Sequence, residues 1–180
     1  METYITILRG INVGGQKLLK MEALRKIFTD LKFENVRTYI QSGNVIYTSH
    51  TTNINFLNEQ ISKAIENNFG FHVPIITLTR NELKKAIQLN PFLKDETVEH
   101  SYFHITFLAN TPTTESIETI KKLNFNEDKI EINGKIIYLY CPDGYGNSKL
   151  TNAFLEKKLN TIATTRNWKT TNELLKIANL

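Results

Sequence analysis

Leu8-Arg9-Gly10-Ile11-Asn12-Val13-Gly14-Gly15 follows an apolar, β-rich run from Tyr4 and precedes a helical pattern that begins near Lys20. A strand that stops at an arginine and passes through three glycines and an asparagine into a helix is built to bring backbone close to something. The stretch sets the opening order, strand then loop then helix, and the chain on either side extends it.

Met21, Leu24, Ile27, Phe28 and Leu31 share one face of that helix. Val36 to Ile40 reads as a second strand, Gln41-Ser42-Gly43-Asn44 as a tight turn, and Val45 to Thr48 as a third strand. Asn53 caps a helix with Ile54, Leu57, Ile61, Ala64 and Ile65 on its apolar face, ending at Gly70. Val73 to Leu78 is a fourth strand, and Thr79-x-x-Glu82 is a capping box for a short helix.

After the polar stretch from Asn90 to His100 the order returns. Tyr102 to Leu108 is a strand, and Thr113 or Thr114 caps a helix. Lys129 to Ile132 and Lys135 to Tyr140 flank Asn133-Gly134, a hairpin signal. Lys149 to Leu159 is helical with Ser148 as its cap, Ile162 to Thr165 is a short strand, and Thr170-x-x-Glu173 opens a terminal helix. The expected fold is α+β: two ferredoxin-like βαββαβ units, each an antiparallel sheet with helices on one face. The expected division is residues 1–90, a linker at 91–101, and residues 102–180, within one compact protein.

The chain has 180 residues, 41% of them hydrophobic and 22% charged, a globular composition. No run approaches the roughly 20 apolar residues of a membrane span, and the start lacks a signal-peptide layout. The lone Cys141 has no second cysteine to pair with. The cytoplasm is therefore the default expectation. The net charge of +4 lies in the first 90 residues, and the second 90 are balanced. Lys17, Lys20, Arg25 and Lys26 either favour an anionic partner or make a solvated helix face.

In the βαββαβ motif the end of the first strand lies beside the turn between the second and third. That places Arg9–Gly15 next to Gln41–Asn44. In the second unit, Cys141–Ser148 shares an edge with Arg166–Trp168. Two glycine- and asparagine-rich edges thus arise from four separated stretches.

Four blocks carry a resemblance: LRGINVGG at 8–15, TYIQSGNVIY at 38–47, DGYGNSKLTNAFLEKKL at 143–159 and ATTRNW at 163–168. Together they resemble the bacterial family known as domain of unknown function 1697. The resemblance covers nearly the whole chain and implies an α+β protein built from ferredoxin-like halves, with no established activity. Arg9, Asn12, Gly14, Gly15, Ser42, Gly43, Asn44, Ser148, Lys149, Arg166, Asn167 and Trp168 match its signature and form the candidate ligand-binding set.

Each member has a functional and a structural reading. Gly14-Gly15 can offer consecutive N–H groups to an anion, or simply permit a turn. Its spacing is not a Rossmann fingerprint, and no G-K-[ST] occurs for a P-loop. Gly144-x-Gly146 lacks the third Rossmann glycine, with Lys149 in its place. Arg9 and Arg166 suit carboxylate or phosphate, or structural ion pairs. Lys149, at an expected helix start, opposes the helix dipole and so hints at phosphate binding. Ser148 reads as a cap, since no Ser-His-acid arrangement accompanies it. Trp168 stacks on a ring or plugs the core. Asp143 is a turn residue or a general base. Cys141 reads as a buried strand-end residue. His50, His72, His100 and His104 lack metal-site spacing.

Three functions compete. The first is binding of a small anionic or phosphorylated ligand by the Gly/Asn-rich loops, with any reaction and any cofactor unknown. The second is nucleic-acid binding, although the RNP aromatic pattern is absent. The third is a protein-interaction module. No membrane association is expected.

Overall fold

The computed structural model describes residues 1–180. In order, the elements are β1 (Glu2–Leu8), α1 (Met21–Asp30), β2 (Glu34–Thr38), β3 (Asn44–Ser49), α2 (Ile54–Phe69), β4 (Ile75–Thr79) and α3 (Arg80–Gln88). They continue as β5 (Phe103–Leu108), α4 (Thr114–Lys121), β6 (Lys129–Asn133), β7 (Ile136–Tyr140), α5 (Asn152–Leu159), β8 (Ala163–Asn167) and α6 (Trp168–Ala178). Short 3-10 turns occupy Pro91–Lys94, His100–Tyr102 and Tyr145–Asn147.

The strands form two four-stranded antiparallel sheets, ordered β2-β3-β1-β4 and β6-β7-β5-β8. Both are the split β-α-β order of a ferredoxin-like unit. Contacts divide the chain into Met1–Lys85 with Glu173–Leu180, and Ala86–Asn172. No helix is long and apolar enough to cross a membrane.

In the first unit, alternation along the strands turns Tyr4, Leu8, Val45 and Tyr47 toward α1 and α2. There they meet Leu24, Ile27, Phe28, Leu57, Ile61 and Ile65 in one buried cluster. Tyr47 stacks on Phe33 at 4.6 Å and takes the edge of Phe28 at 5.1 Å. Burial pushes the Tyr47 hydroxyl up to about 12. Local signals fix the helix ends. Asn53 accepts from the Phe56 amide, and Gly70 closes α2 in the left-handed conformation. Thr79 and Glu82 cap reciprocally, Glu82 N–H to Thr79 Oγ1 at 3.1 Å and Thr79 N–H to Glu82 Oε2 at 2.8 Å.

In the second unit Leu108, Ile120, Ile137, Leu139, Cys141, Leu150, Leu155 and Ala163 make the corresponding cluster. Thr113 caps α4.

Three expectations need correction. The hairpin turn is Gly134-Lys135, because Asn133 pairs with Ile136 as the last residue of β6. Gly134 has φ +58 while Lys135 is not in the left-handed region, the Gly-X pattern of a type II′ turn. Ser148 does not cap a helix at Lys149. α5 starts at Asn152, and Thr151 caps it by accepting from the Phe154 amide. Ser148 is held elsewhere, donating to Asp128 Oδ2 at 2.6 Å and accepting from the Leu150 amide. Lys149 therefore lies outside the helix, and the dipole argument for it lapses. Finally, α6 opens at Trp168, not at Thr170. Asn167 Oδ1 takes the Thr170 amide at 2.8 Å, a cap three residues earlier than the Thr170–Glu173 box.

Candidate functional site

The topology joins the two motif loops of the first unit. Ile7 of β1 pairs with Asn44, and the Leu8 amide donates to Gly43 O at 2.9 Å. The Arg9 amide donates to Pro74 O, which brings the approach to β4 to the same edge. Beyond Arg9 the chain makes a small hairpin excursion. Asn12 N–H bonds to Lys17 O, and Gln16 N–H to Val13 O. Gly14 and Gly15, at φ +59 and +74, occupy its two central positions, the type I′ geometry that glycine accommodates freely. Both are exposed, and neither N–H makes a hydrogen bond in the chain.

Asn12 holds this excursion in place. Its Oδ1 accepts the Leu19 amide at 2.8 Å, while its Nδ2 donates to Leu19 O at 2.9 Å and Gln41 O at 2.8 Å. One side-chain amide thus ties the loop to itself and to the β2–β3 turn. Asn44, fully buried, does the same for that turn by donating to Tyr39 O and Ser42 Oγ. Gly43 is needed for space. A Cβ there would lie 2.5 Å from Ile11 Cδ1 and 2.9 Å from Leu8 Cβ. Ile40, β-branched and 45% exposed, sits in the same turn at φ +52, a strained backbone for that residue type. Lys17 Nζ reaches His72 O at 2.8 Å, so the loop before β4 is stitched to the same edge.

The second unit assembles its own edge. His104 stacks on Tyr145 at 4.8 Å, and Tyr145 Oη donates to Thr165 Oγ1. Thr165 in turn donates to Asn152 Oδ1 at 2.7 Å. Burial pushes the His104 imidazole below its ordinary value. Arg166, 9% exposed, donates from Nη1 to Thr164 Oγ1 and Thr165 O within its own strand. Trp168 sets its edge against Phe103 at 5.7 Å and His100 at 6.2 Å. Asp143 O accepts from Asn147 Nδ2, a turn contact. Lys149 is exposed. Cys141 is fully buried, and burial together with the nearby Asp128 charge pushes its thiol up to about 11.

The predicted residues therefore fall into two groups. Arg9, Asn12, Gly14, Gly15, Ser42, Gly43 and Asn44 meet at one edge of the first unit. Ser148, Lys149, Arg166, Asn167 and Trp168 belong to the second, where all but the exposed Lys149 hold backbone, side-chain or ring contacts. The sequence reading passed over Ile40 at the first edge, and weighed Lys17 only as charge and His72 only as a metal ligand. It also passed over Arg37 and Arg80, on the opposite end of the same sheet. The adjacent Lys17-Leu18 could have been read as part of the loop, but nothing in a single sequence marks Ile40 as strained.

Residues 1–138 match the model of a family described as a protein of unknown function, DUF1697. A solved structure, the conserved bacterial protein SP0830 from Streptococcus pneumoniae, has the same fold with a TM-score of 0.79. The two chains are 21% identical, over 100% of this chain and 99% of that one. No curated protein sequence matches.

Proposed function

The chain belongs to the DUF1697 family, and we propose that it binds a small anionic or phosphorylated ligand at the loop edge of its first unit. One observation carries this reading. Gly14 and Gly15 present two exposed, unbonded N–H groups on a loop that Asn12 holds rigid through three hydrogen bonds. Preorganised backbone donors cost little reorganisation when an anion arrives. Arg9 and the exposed Lys20 bring positive charge to the same loop. The proposal is for binding, with no reaction assigned.

RNA binding finds less support. An RNA-binding sheet of this topology stacks bases on an open face. Here the face turned away from α1 and α2 carries Ile5, Ile7, Ile46, Ile76 and Leu78, all buried. The same holds for Phe103, Ile105, Phe107 and Tyr138 in the second sheet.

The test is an NMR titration of the full chain with inorganic phosphate and with a nucleoside monophosphate. The Gly14 and Gly15 amide resonances are expected to move saturably, and Arg9→Ala to weaken the effect. Static glycine amides throughout the titration would overturn the reading. Loss of binding in Arg166→Ala alone would assign the ligand to the second unit instead.

A further inference from the structure

The second strand of the first sheet contains an extra residue. Glu34 pairs with Thr48, and the next pairing is Arg37 with Ile46. β2 advances three residues where β3 advances two, which is a bulge. Asn35 absorbs it at φ +53, and its Nδ2 donates to Thr48 Oγ1 at 3.1 Å. Side chains alternate along a strand, so the extra residue changes which face the following ones take. In an unbroken ladder Val36 would stand opposite Ile46, and Arg37 opposite Val45 on the helix-covered face. With the bulge, Val36 packs against the helix-side core and Arg37 stands beside Ile46 on the other face.

A cavity of about 340 Å³ lies on that face. Thr3, Arg37, Ile46 and Thr48 line it from the sheet, Arg80 from the start of α3, and Ile177 from the end of α6. The pairings Thr3 with Thr48 and Tyr4 with Thr79 place it at the end of the sheet remote from the glycine loop. Its size is at the small end of ligand pockets, roughly 300–1,000 Å³. Neither the Arg37 nor the Arg80 guanidinium has a hydrogen-bond or ion-pair partner in the chain. Asn179 and Leu180 also border the concavity, and an anion seated between the two guanidinium groups would be attracted by both. Their planar forks match phosphate oxygens two at a time. Ile46 and Ile177 supply an apolar wall for a carbon skeleton.

We infer that this cavity is an anion site separate from the glycine-loop edge, in which Arg37 and Arg80 hold the dianionic head of a small phosphomonoester. The bulge at Asn35 is the device that delivers Arg37 to it. The inference does not rest on the loop-edge reading.

NMR titration of the full chain with phenyl phosphate tests it, read at the Arg37 and Arg80 side-chain Nε–H resonances, with phenol as the uncharged control. Saturable binding of phenyl phosphate and none of phenol is the expected result. Arg37→Ala and Arg80→Ala are each expected to weaken binding at least tenfold without lowering the melting temperature, since both side chains are exposed. Lys26→Ala is expected to leave it unchanged. Static Arg37 and Arg80 resonances, or an equal loss in Lys26→Ala, overturn the inference. Movement of the Gly14 and Gly15 amides with static Arg37 and Arg80 resonances assigns the phosphate to the loop edge and overturns this site alone.

Discussion

Thr106 Oγ1 lies 2.7 Å from Thr165 Oγ1 across the β5–β8 pair, and Thr6 Oγ1 lies 2.7 Å from Thr77 Oγ1 across β1–β4. Each pair joins the first and last strands of its own sheet. The hydroxyls differ in what completes them. In the first sheet Thr6 donates to Tyr47 Oη at 3.3 Å. In the second, Tyr145 and Asn152 converge on Thr165.

Thr6 is fully buried, so deleting its hydroxyl takes one buried partner from each of Thr77 and Tyr47, whose hydroxyls retain each other. Thr6→Val is expected to cost about 1–3 kcal/mol, from two hydrogen bonds lost at about 0.5–1.5 kcal/mol each. Denaturant unfolding measures it. Thr6→Val/Thr77→Val is expected to cost less than the sum of the single variants, because each single variant already loses the bond the two hydroxyls share. Strict additivity would show that the two hydroxyls do not depend on each other.

The turn after β6 separates two readings of one dipeptide. With Gly134 at φ +58 and open space where a Cβ would stand, Gly134→Val carries a conformational cost only. About 1 kcal/mol or more is expected, seen as a lower melting temperature. Asn133 is a strand residue here, so Asn133→Thr is expected to leave stability within about 0.5 kcal/mol. A large loss in Asn133→Thr would return the turn to Asn133-Gly134.

The element order was legible because its punctuation is local. Asn53, Gly70 and the Thr79–Glu82 box act within four residues of themselves. What escaped the sequence depends on partners far along the chain. Ser148 and Thr151 are equally good caps by composition, and Asp128, twenty residues away, decides between them by engaging Ser148. The adjacency of the glycine loop and the Gln41–Asn44 turn followed from topology alone. That Asn12 serves Leu19 and Gln41 did not, since Gln41 is 29 residues distant. The facing of Arg37 was hidden for another reason: a one-residue bulge reverses the alternation from which facing is read.

His104 makes stability depend on pH. Burial holds its imidazole below the ordinary value near 6.5, although its contact with Tyr102 O opposes the shift. The unfolded chain then binds the proton more readily than the folded one. Stability is full above about pH 6.5 and falls as the pH drops through that value toward the folded-state pKa. His104→Phe keeps a ring against Tyr145. It is expected to flatten this part of the profile relative to wild type in denaturant unfolding at pH 5, 6, 7 and 8. A parallel slope in both proteins would mean that His104 titrates as freely in the fold as outside it.

The clamp at Asn12 can be dissected atom by atom. Its Oδ1 accepts one bond and its Nδ2 donates two. Asn12→Asp keeps the acceptor for the Leu19 amide but sets a carboxylate oxygen against the Leu19 and Gln41 carbonyls. Asn12→Gly keeps the φ of +54 at no steric cost and removes all three bonds. Both variants are expected to lose about 1–3 kcal/mol of stability. Amide exchange separates them: the Leu19 N–H is expected to exchange faster in Asn12→Gly and to remain protected in Asn12→Asp. The looser loop should also carry through to the proposed ligand edge. Gly14 and Gly15 gain their preorganisation from Asn12 and not from contacts of their own, so phosphate-dependent movement of their amide resonances should weaken in both variants. Protection of Leu19 unchanged in Asn12→Gly would show that the backbone bonds between Asn12 and Lys17, and between Val13 and Gln16, hold the loop without the side chain.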